Sequence, residues 1–307
     1  MVEPEIKTYH LPPTRLIPNS PHRPLLYYPG LLHVLKDTQQ KSPVDDGHSS
    51  PSSSPTSLAT IAYDTFTSND WDVQWIYRYG PTQKSHYHSS VHECMAVLSG
   101  SAMIRFGIAD GEADGEAGRG VKPDIPTSTS TPSTDPSSTE TRDPGWTTSN
   151  TLTPQTLSTT STQSTELAPF RGVFIHASAG DVFVLPAGVA HKTYDTKPEA
   201  EFALLTPGDG HGIQVPPDSS STSTTSSGSS SDAAARKRNA VITTPLSGFT
   251  MLGAYPKVTE TGDPDLGEWD FATGGEDVGR YEQVWSVKKP ARDPCLGDSE
   301  KGIWGLW

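Results

Sequence analysis

The stretch GPTQKSHYHSSVHECMAVLSG, residues 80–100, gives the strongest indication of the fold of this chain. It places His86 and His88 two positions apart, and Glu93 follows in a run that alternates like a β-strand. Residues two apart on a strand point to the same face of a sheet. The two imidazoles can therefore reach one point together, and the Glu93 carboxylate can join them from a neighbouring strand.

The stretch GDVFVLPAGVAHKTYD, residues 180–195, supplies a further candidate ligand. It places His191 just after a Pro-x-Gly turn, between two strand-like runs. Three neutral imidazoles and one carboxylate are a ligand set for a divalent transition metal. We therefore predict that such an ion is held inside a small β-barrel by His86, His88, Glu93 and His191. Fe²⁺ and Mn²⁺ are favoured, because both prefer six ligands and would keep two positions open, while Ni²⁺, Zn²⁺ and Cu²⁺ also accept this set.

The first stretch resembles the first signature motif of the cupin superfamily. Gly80 is followed by five residues and then by His86-x-His88. Four residues lead on to Glu93, and six more lead to Gly100. Every fixed position of that motif is matched here.

The second stretch resembles the second cupin motif. Gly180 is followed by five residues and Pro186-x-Gly188, and two residues later by His191. Asp195 stands where this motif normally has Asn. Two motifs in the right order imply the all-β fold of the superfamily, a double-stranded β-helix or jelly-roll barrel, with the same four metal ligands. They do not imply one reaction, because one fold hosts many activities.

A narrower resemblance joins three parts of the chain. The segments LIPNSPHRPLLYYPG (residues 16–30), HYHSSVHE (residues 86–93) and GAYP (residues 253–256) are similar to the YjlB-like small cupins of bacteria and fungi. This resemblance covers much of the chain outside its Ser/Thr-rich tracts. It brings no established substrate.

Long Ser/Thr/Pro tracts interrupt the chain. Only 33% of the 307 residues are hydrophobic, and such tracts bury too little apolar surface to offset the entropy lost on ordering them. We expect disordered insertions at about residues 108–167 and 216–238. The remaining residues are enough for one β domain with few helices. We expect its strands from about Leu58 to Gly107 and from about Phe170 to Pro256.

The chain divides into three parts on this interpretation. Residues 1–57 form an N-terminal extension with a short strand and a low-complexity linker, residues 58–256 form the cupin domain, and residues 257–307 form a Trp-rich extension. Large aromatic side chains are costly to leave in water. The C-terminal extension has four such side chains: Trp269, Trp285, Trp304 and Trp307. We expect them to pack across the barrel or into a subunit interface, and a subunit interface would make the protein a homodimer.

Net charge, cysteine content and the lack of long apolar runs bear on the partners and the compartment of the protein. A net charge of −13 disfavours nucleic acid as a partner, because phosphate binding needs clustered Lys and Arg. Two cysteines, Cys94 and Cys295, make no disulfide framework and favour a reducing compartment. The N-terminus lacks the pattern of a signal peptide, and no apolar run approaches membrane-spanning length. We expect a cytoplasmic protein with a small-molecule substrate and no membrane partner.

Two polar residues beside the ligand set have alternative interpretations. Asp195 shares strand parity with His191 and could be an acid/base group near the metal, or an acceptor for a ligand imidazole N–H. Alternatively, Asp195 faces solvent at a strand end, where alternation often breaks. His92 precedes Glu93 and so points to the other face, which makes it a poor ligand candidate.

Three functions fit these residues. The favoured one is a metal-dependent enzyme that acts on a small organic molecule, an oxidoreductase of dioxygenase type. The second is an isomerase, epimerase or lyase, which needs a separate base such as Asp195 or Lys84. The third is a non-catalytic module that binds a metal or a small molecule.

Overall fold

The computed structural model of the chain describes residues 4–41, 56–113, 171–215, 230–257 and 270–307. Within these residues, two antiparallel sheets form the framework. The larger sheet has seven strands in the order β1 (Lys7–Tyr9), β2 (Leu25–Tyr28), β7 (Val182–Leu185), β4 (Glu93–Ser99), β10 (Phe249–Pro256), β3 (Trp71–Tyr79) and β9 (Ala203–Leu204). The smaller sheet has three strands in the order β6 (Val173–Ser178), β5 (Ser101–Phe106) and β8 (His191–Lys197).

Six helices accompany the two sheets in the described part of the chain. They are α1 (Leu31–Lys41), α2 (Leu58–Ser68), α3 (Asp110–Ala113), α4 (Ser230–Ile242), α5 (Tyr281–Trp285) and α6 (Ile303–Leu306). Among the residues that the structure describes, no helix has the length and apolar character needed to cross a membrane.

Gly100 alone carries the chain from β4 in the larger sheet to β5 in the smaller one. Its φ of +71° lies in the left-handed region, which residues other than glycine rarely adopt. A Cβ atom there would lie 2.4 Å from the carbonyl oxygen of Lys197. The glycine that closes the first motif is therefore required by the turn between the sheets.

Alternation along β4 sends its side chains to two different environments. One set is buried in a cluster with side chains of α1 and α2, namely Cys94, Ala96 and Leu98. Glu93 therefore lies on the opposite face of the sheet. On that face, Phe183 of β7 contacts Phe106 of β5, with ring centroids 5.4 Å apart. The smaller sheet thus packs on the face that carries Glu93.

The strand pairs of the described residues define two sheets rather than one closed barrel. The expectation of a largely β structure with few helices is confirmed, and the strands predicted in the two motif regions are present. The jelly-roll barrel of the cupins stays a prediction.

The segment LATIAYDTF, which we expected to begin the first strands, is helical and forms most of α2. Ser57 caps this helix, since its hydroxyl oxygen accepts a hydrogen bond from the Thr60 N–H at 3.1 Å. The buried residues include Ala59, Ala62, Tyr63 and Phe66. Their spacing fits one face of a helix, and an alternating interpretation of so short an apolar run was wrong here.

The predicted disordered insertions include residues that the structure describes as ordered, namely 108–113 and 230–238. Helix α4 occupies residues 230–238 of the second insertion, where Lys237 and Arg238 form ion pairs at 2.6 Å with Asp72 and Asp64. Ala and Arg favour helix, which the Ser-rich composition around them concealed. Ile108 is buried, and α3 follows it. Residues 114–167 and 216–229 lie outside the described residues.

The described residues of both terminal extensions contact the β domain. Strands β1 and β2 of the N-terminal extension belong to the larger sheet. The Trp285 indole donates a hydrogen bond to the Pro18 carbonyl at 2.9 Å, and the Trp307 indole donates one to Pro24 at 2.9 Å. Trp304 is 48% exposed beneath the Lys289 ammonium, and Trp269 lies outside the described residues. Packing across the β domain thus accounts for two of the four tryptophans, and the homodimer stays a prediction.

Candidate metal centre

Backbone pairing brings His86 and His191 together. The His86 N–H donates to the His191 carbonyl at 3.1 Å, and the His191 N–H donates to the His86 carbonyl at 2.8 Å. This bridge joins the start of β8 to the segment that precedes β4. The two imidazole centroids consequently lie 4.1 Å apart. The alternation expected for HYH places a second imidazole, that of His88, beside them.

Three buried imidazoles form one cluster that could hold a metal ion. The His88 ring centroid lies 5.6 Å from that of His86 and 6.0 Å from that of His191. One ring nitrogen of each residue lies within 4.8 Å of the others, a spacing at which a single ion can reach all three. Their exposed fractions are 8%, 5% and 3% for His86, His88 and His191. Because they are so buried, a shared partner is needed to offset the loss of hydration.

Glu93 completes the cluster from the first position of β4. Its Oε1 lies 3.6 Å from His88 Nε2, and its Oε2 lies 3.4 Å from His191 Nε2. The Tyr255 hydroxyl on β10 donates a hydrogen bond to Oε1 at 2.9 Å, and the Trp75 indole donates to that hydroxyl at 3.3 Å. This chain of donors fixes the carboxylate orientation.

Backbone carbonyls orient the imidazoles. The Nδ1 atom of His86 faces the Lys84 carbonyl at 3.3 Å, and that of His191 faces the Val189 carbonyl at 3.4 Å. The Nδ1 atom of His88 contacts the Asp270 carbonyl. A carbonyl accepts only from a protonated ring nitrogen, so these contacts favour the tautomer that presents an Nε2 lone pair to the cluster.

The charges of the four side chains depend on one another. Burial raises the pKa of Glu93, but His88 and His191 outweigh this effect and hold that pKa at about 2. Burial lowers the pKa of His88, but the Glu93 carboxylate outweighs burial and raises it. Burial lowers the pKa of His86, and His191 and His88 lower it further. Glu93 is therefore ionised at neutral pH, as a metal ligand must be.

Asp270 anchors the cluster from the C-terminal segment, and sequence reasoning missed it. Its carboxylate accepts hydrogen bonds from the Ser89 N–H at 2.9 Å and hydroxyl at 2.5 Å, and from the Ser90 N–H at 3.1 Å and hydroxyl at 2.9 Å. The carbonyl of the same residue contacts His88. Asp270 thus holds both the loop after His88 and the ring itself. Nothing in the spacing of either motif signals a residue so far along the chain.

A cavity of about 130 Å³ adjoins the cluster. Its wall is formed by His86, His88, Glu93, Gln83 and six aromatic side chains, Trp75, Tyr77, Tyr79, Phe202, Tyr255 and Phe271. Three of these aromatic side chains, Trp75, Tyr77 and Tyr79, lie on β3. A small molecule in the cavity would contact the imidazoles directly.

Asp195 is not brought to the cluster. It is exposed and has a φ of +53°. Met103 pairs with Tyr194 while Ser101 pairs with Lys197, so β8 contains a bulge at this point. The bulge shifts the alternation that we extended from His191. Asp195 turns to solvent for that reason, as the alternative interpretation of this residue expected.

His92 lies away from the four residues, as its strand parity predicted. Its Nδ1 accepts a hydrogen bond from the Ala187 N–H at 2.9 Å, and its Nε2 lies 3.1 Å from the Lys288 carbonyl. The Trp307 ring packs against it. His92 therefore holds the C-terminal segment onto the sheet.

Replacing Tyr255 by Phe is expected to weaken metal binding by about tenfold, the usual effect of removing a group that orients a ligand. The ring would still fill its site, so the thermal unfolding midpoint should change little. Competition with a fluorescent chelator measures the affinity. Tyr63→Phe is the matched control, since its hydroxyl contacts only the Ala234 carbonyl among the described residues. Equal affinities in the two variants would remove Tyr255 from this role.

Comparison with models of known protein families, with curated proteins and with solved structures finds no match. One ring nitrogen each of His86, His88 and His191 lies within 4.8 Å of the others, and the Glu93 carboxylate lies 3.6 Å from His88 and 3.4 Å from His191. Together these buried side chains could hold a metal ion.

Proposed function

We infer that this protein is a metal-dependent enzyme that holds one divalent transition metal ion through His86, His88, Glu93 and His191. The best supported reaction is oxidation of a small organic molecule, of dioxygenase type. The observation that carries this proposal is the buried cluster of three imidazoles and one carboxylate beside a cavity. The cupin-like spacing of both motifs supports the same four ligands.

The residues present fit a metal ion. Glu93 Oε2 is buried and accepts no hydrogen bond from any residue that the structure describes, although His191 Nε2 lies 3.4 Å away. A buried carboxylate oxygen without a donor is costly. Coordination of a cation by this oxygen removes that cost. Imidazole and carboxylate together suit Fe²⁺ and Mn²⁺, and also Ni²⁺, Zn²⁺ and Cu²⁺.

An ion at this point would supply Lewis acidity, and a redox-active one would also supply the capacity to activate dioxygen. The chain supplies orientation of the ligand atoms and an aromatic wall. Tyr255 and the three backbone carbonyls hold the ligand atoms in place. The aromatic wall lowers the polarity around a bound molecule, and electrostatic interactions there are stronger than in water.

The isomerase or lyase alternative needs a base at the cavity, and neither residue suggested for that role lies there. Asp195 and Lys84 are both exposed, and neither lines the cavity described above. Among the described residues of that wall, Glu93 has the only carboxylate, and it faces the imidazoles. A non-catalytic module that binds a metal or a small molecule would use both the cluster and the cavity, and turnover distinguishes it from an enzyme. Of the two enzymatic alternatives, we propose the oxidative one.

Oxygen consumption tests the proposal. Protein loaded with Fe²⁺ or Mn²⁺ is expected to consume dioxygen in the presence of a substrate from a panel of phenols and diketones. A chelator should abolish the consumption, and the same ion should restore it. A bound ion with no turnover across the panel would contradict the enzymatic proposal and favour the binding module.

A further inference from the structure

Two phenylalanines at the cavity are held in exposed positions. Phe202 is 59% exposed and Phe271 is 57% exposed, and both line the cavity. They come from distant parts of the chain, Phe202 from the turn between β8 and β9, and Phe271 from the C-terminal segment. Exposed phenylalanine is unfavourable in water. Two such rings beside one cavity indicate a surface prepared for an apolar ligand.

Both rings are fixed rather than loose. The Phe271 ring stacks on the His86 imidazole, with centroids 4.6 Å apart and planes 19° apart. Its two chain neighbours are held by the hydrogen bonds of Asp270 and by backbone pairing between Ala272 and Tyr87. A ring fixed in this way loses little entropy when it stacks on a ligand.

The Phe202 ring is fixed by other aromatic rings. It stacks on Tyr77, with centroids 5.1 Å apart and planes 17° apart. It also meets the edge of Tyr79, with centroids 6.0 Å apart. One face of Phe202 is thus supported by protein. Its exposed surface is available to a flat partner.

The side chains of the cavity wall offer an anionic ligand no ammonium or guanidinium partner. Glu93 is the only Asp, Glu, Lys or Arg among the described residues of the wall. A phosphate or carboxylate ligand would therefore find no Lys or Arg there to pair with. Gln83 and the tyrosine hydroxyls of the wall are hydrogen-bonding groups without charge. Apart from the metal ion, recognition then depends on aromatic contact and on a few hydrogen bonds.

Gln83 and Tyr79 offer those hydrogen bonds. The Gln83 amide oxygen accepts from the Thr193 N–H at 3.0 Å. No described residue accepts a hydrogen bond from the Gln83 amide nitrogen or pairs with the Tyr79 hydroxyl. The cavity thus provides two donors for oxygen on a ligand. A sugar carries more hydroxyl groups than two such side chains can satisfy.

The volume of the cavity fits about one ring. A cavity of about 150 Å³ in another protein accepts one benzene molecule, and the present cavity of about 130 Å³ is similar. We propose that its occupant is a single uncharged aromatic ring with one or two oxygen substituents, stacked on Phe271 and Phe202 and hydrogen-bonded by Gln83 or Tyr79. This inference rests on the proposed function, because it makes such a phenol the substrate of the same site.

Binding of phenol and of cyclohexanol to the full-length protein, measured by titration calorimetry, tests this inference. The two probes share one hydroxyl and a six-membered ring, and only phenol is planar and aromatic. Phenol is expected to bind at least about fivefold more tightly. Phe202→Ala and Phe271→Ala should each weaken phenol binding by up to about tenfold, the range expected for one stacked pair.

Phe174→Ala is the matched control, since Phe174 is 52% exposed on β6 and does not line the cavity. It should bind phenol as the unaltered protein does. Equal affinity for the two probes, preferential binding of glucose, or no binding of phenol would each overturn the inference. Metal content measured on the same samples separates the two proposals. A protein that retains its metal but does not bind phenol would contradict the proposed aromatic ligand and leave the proposed metal site standing.

Discussion

Replacing His88 by Ala is expected to raise the dissociation constant for the metal by more than about 100-fold. Removing a group that only orients a ligand costs about 10- to 100-fold, and His88 is proposed to be a ligand itself. Its imidazole is 5% exposed and contacts the Asp270 carbonyl, so no other described side chain can take its place without rearrangement. Elemental analysis of the purified protein and chelator competition measure the loss.

His176→Ala is the control for this variant, since His176 is an exposed histidine on β6 outside the cluster. It should retain full metal content. His88→Gln preserves more side-chain volume, and it separates loss of metal from loss of fold if the Ala variant unfolds. Full metal content in a folded His88 variant would show that this imidazole is not a ligand.

Replacing Asp270 by Ala is expected to weaken metal binding by about 10- to 100-fold, although this carboxylate is not in the ligand set. The variant removes the acceptor of four hydrogen bonds from Ser89 and Ser90. The loop that follows His88 then has no fixed position. Because hydrogen bonds to a charged group contribute about 1.5–3 kcal/mol each and are not additive, we also expect a loss of roughly 2 kcal/mol in unfolding free energy. Chemical denaturation and chelator competition measure the two effects.

Asp298→Ala is the matched control in the same C-terminal segment. Asp298 is exposed and pairs with Arg292 at 2.9 Å, and exposed pairs contribute little to stability. Its loss should leave metal affinity unchanged. An Asp270→Ala protein with unaltered affinity would show that His88 keeps its orientation without this anchor.

The cluster of His86, His88, Glu93 and His191 could be predicted from sequence because local rules act within each stretch and both stretches resemble cupin motifs. Strand alternation places His86 beside His88, and it places Glu93 on the face opposite Cys94. The Pro-x-Gly turn brings His191 to the start of β8, where backbone pairing with His86 sets the ring separation. The alternation steps span a few residues, whereas the pairing of His86 with His191 joins two distant stretches. That pairing could be predicted only because both stretches resemble cupin motifs.

The parts that sequence could not supply depend on contacts between distant segments or on breaks in regularity. Asp270 reaches Ser89 across 181 positions of the chain, and no spacing rule covers such a contact. Asp195 leaves the expected face because one extra residue in β8 shifts the alternation. Helix α2 was misassigned because a short apolar run fits both periods. Tertiary packing decides each of these cases.

A crystal structure of protein loaded with Mn²⁺ or Zn²⁺, with diffraction data collected at the absorption edge of the metal, would locate the ion. The proposed metal site predicts one anomalous peak per chain, at about 2.0–2.2 Å from a nitrogen of His86, His88 and His191 and from an oxygen of Glu93. A peak elsewhere in the chain, or one that excludes any of these four residues, would contradict it.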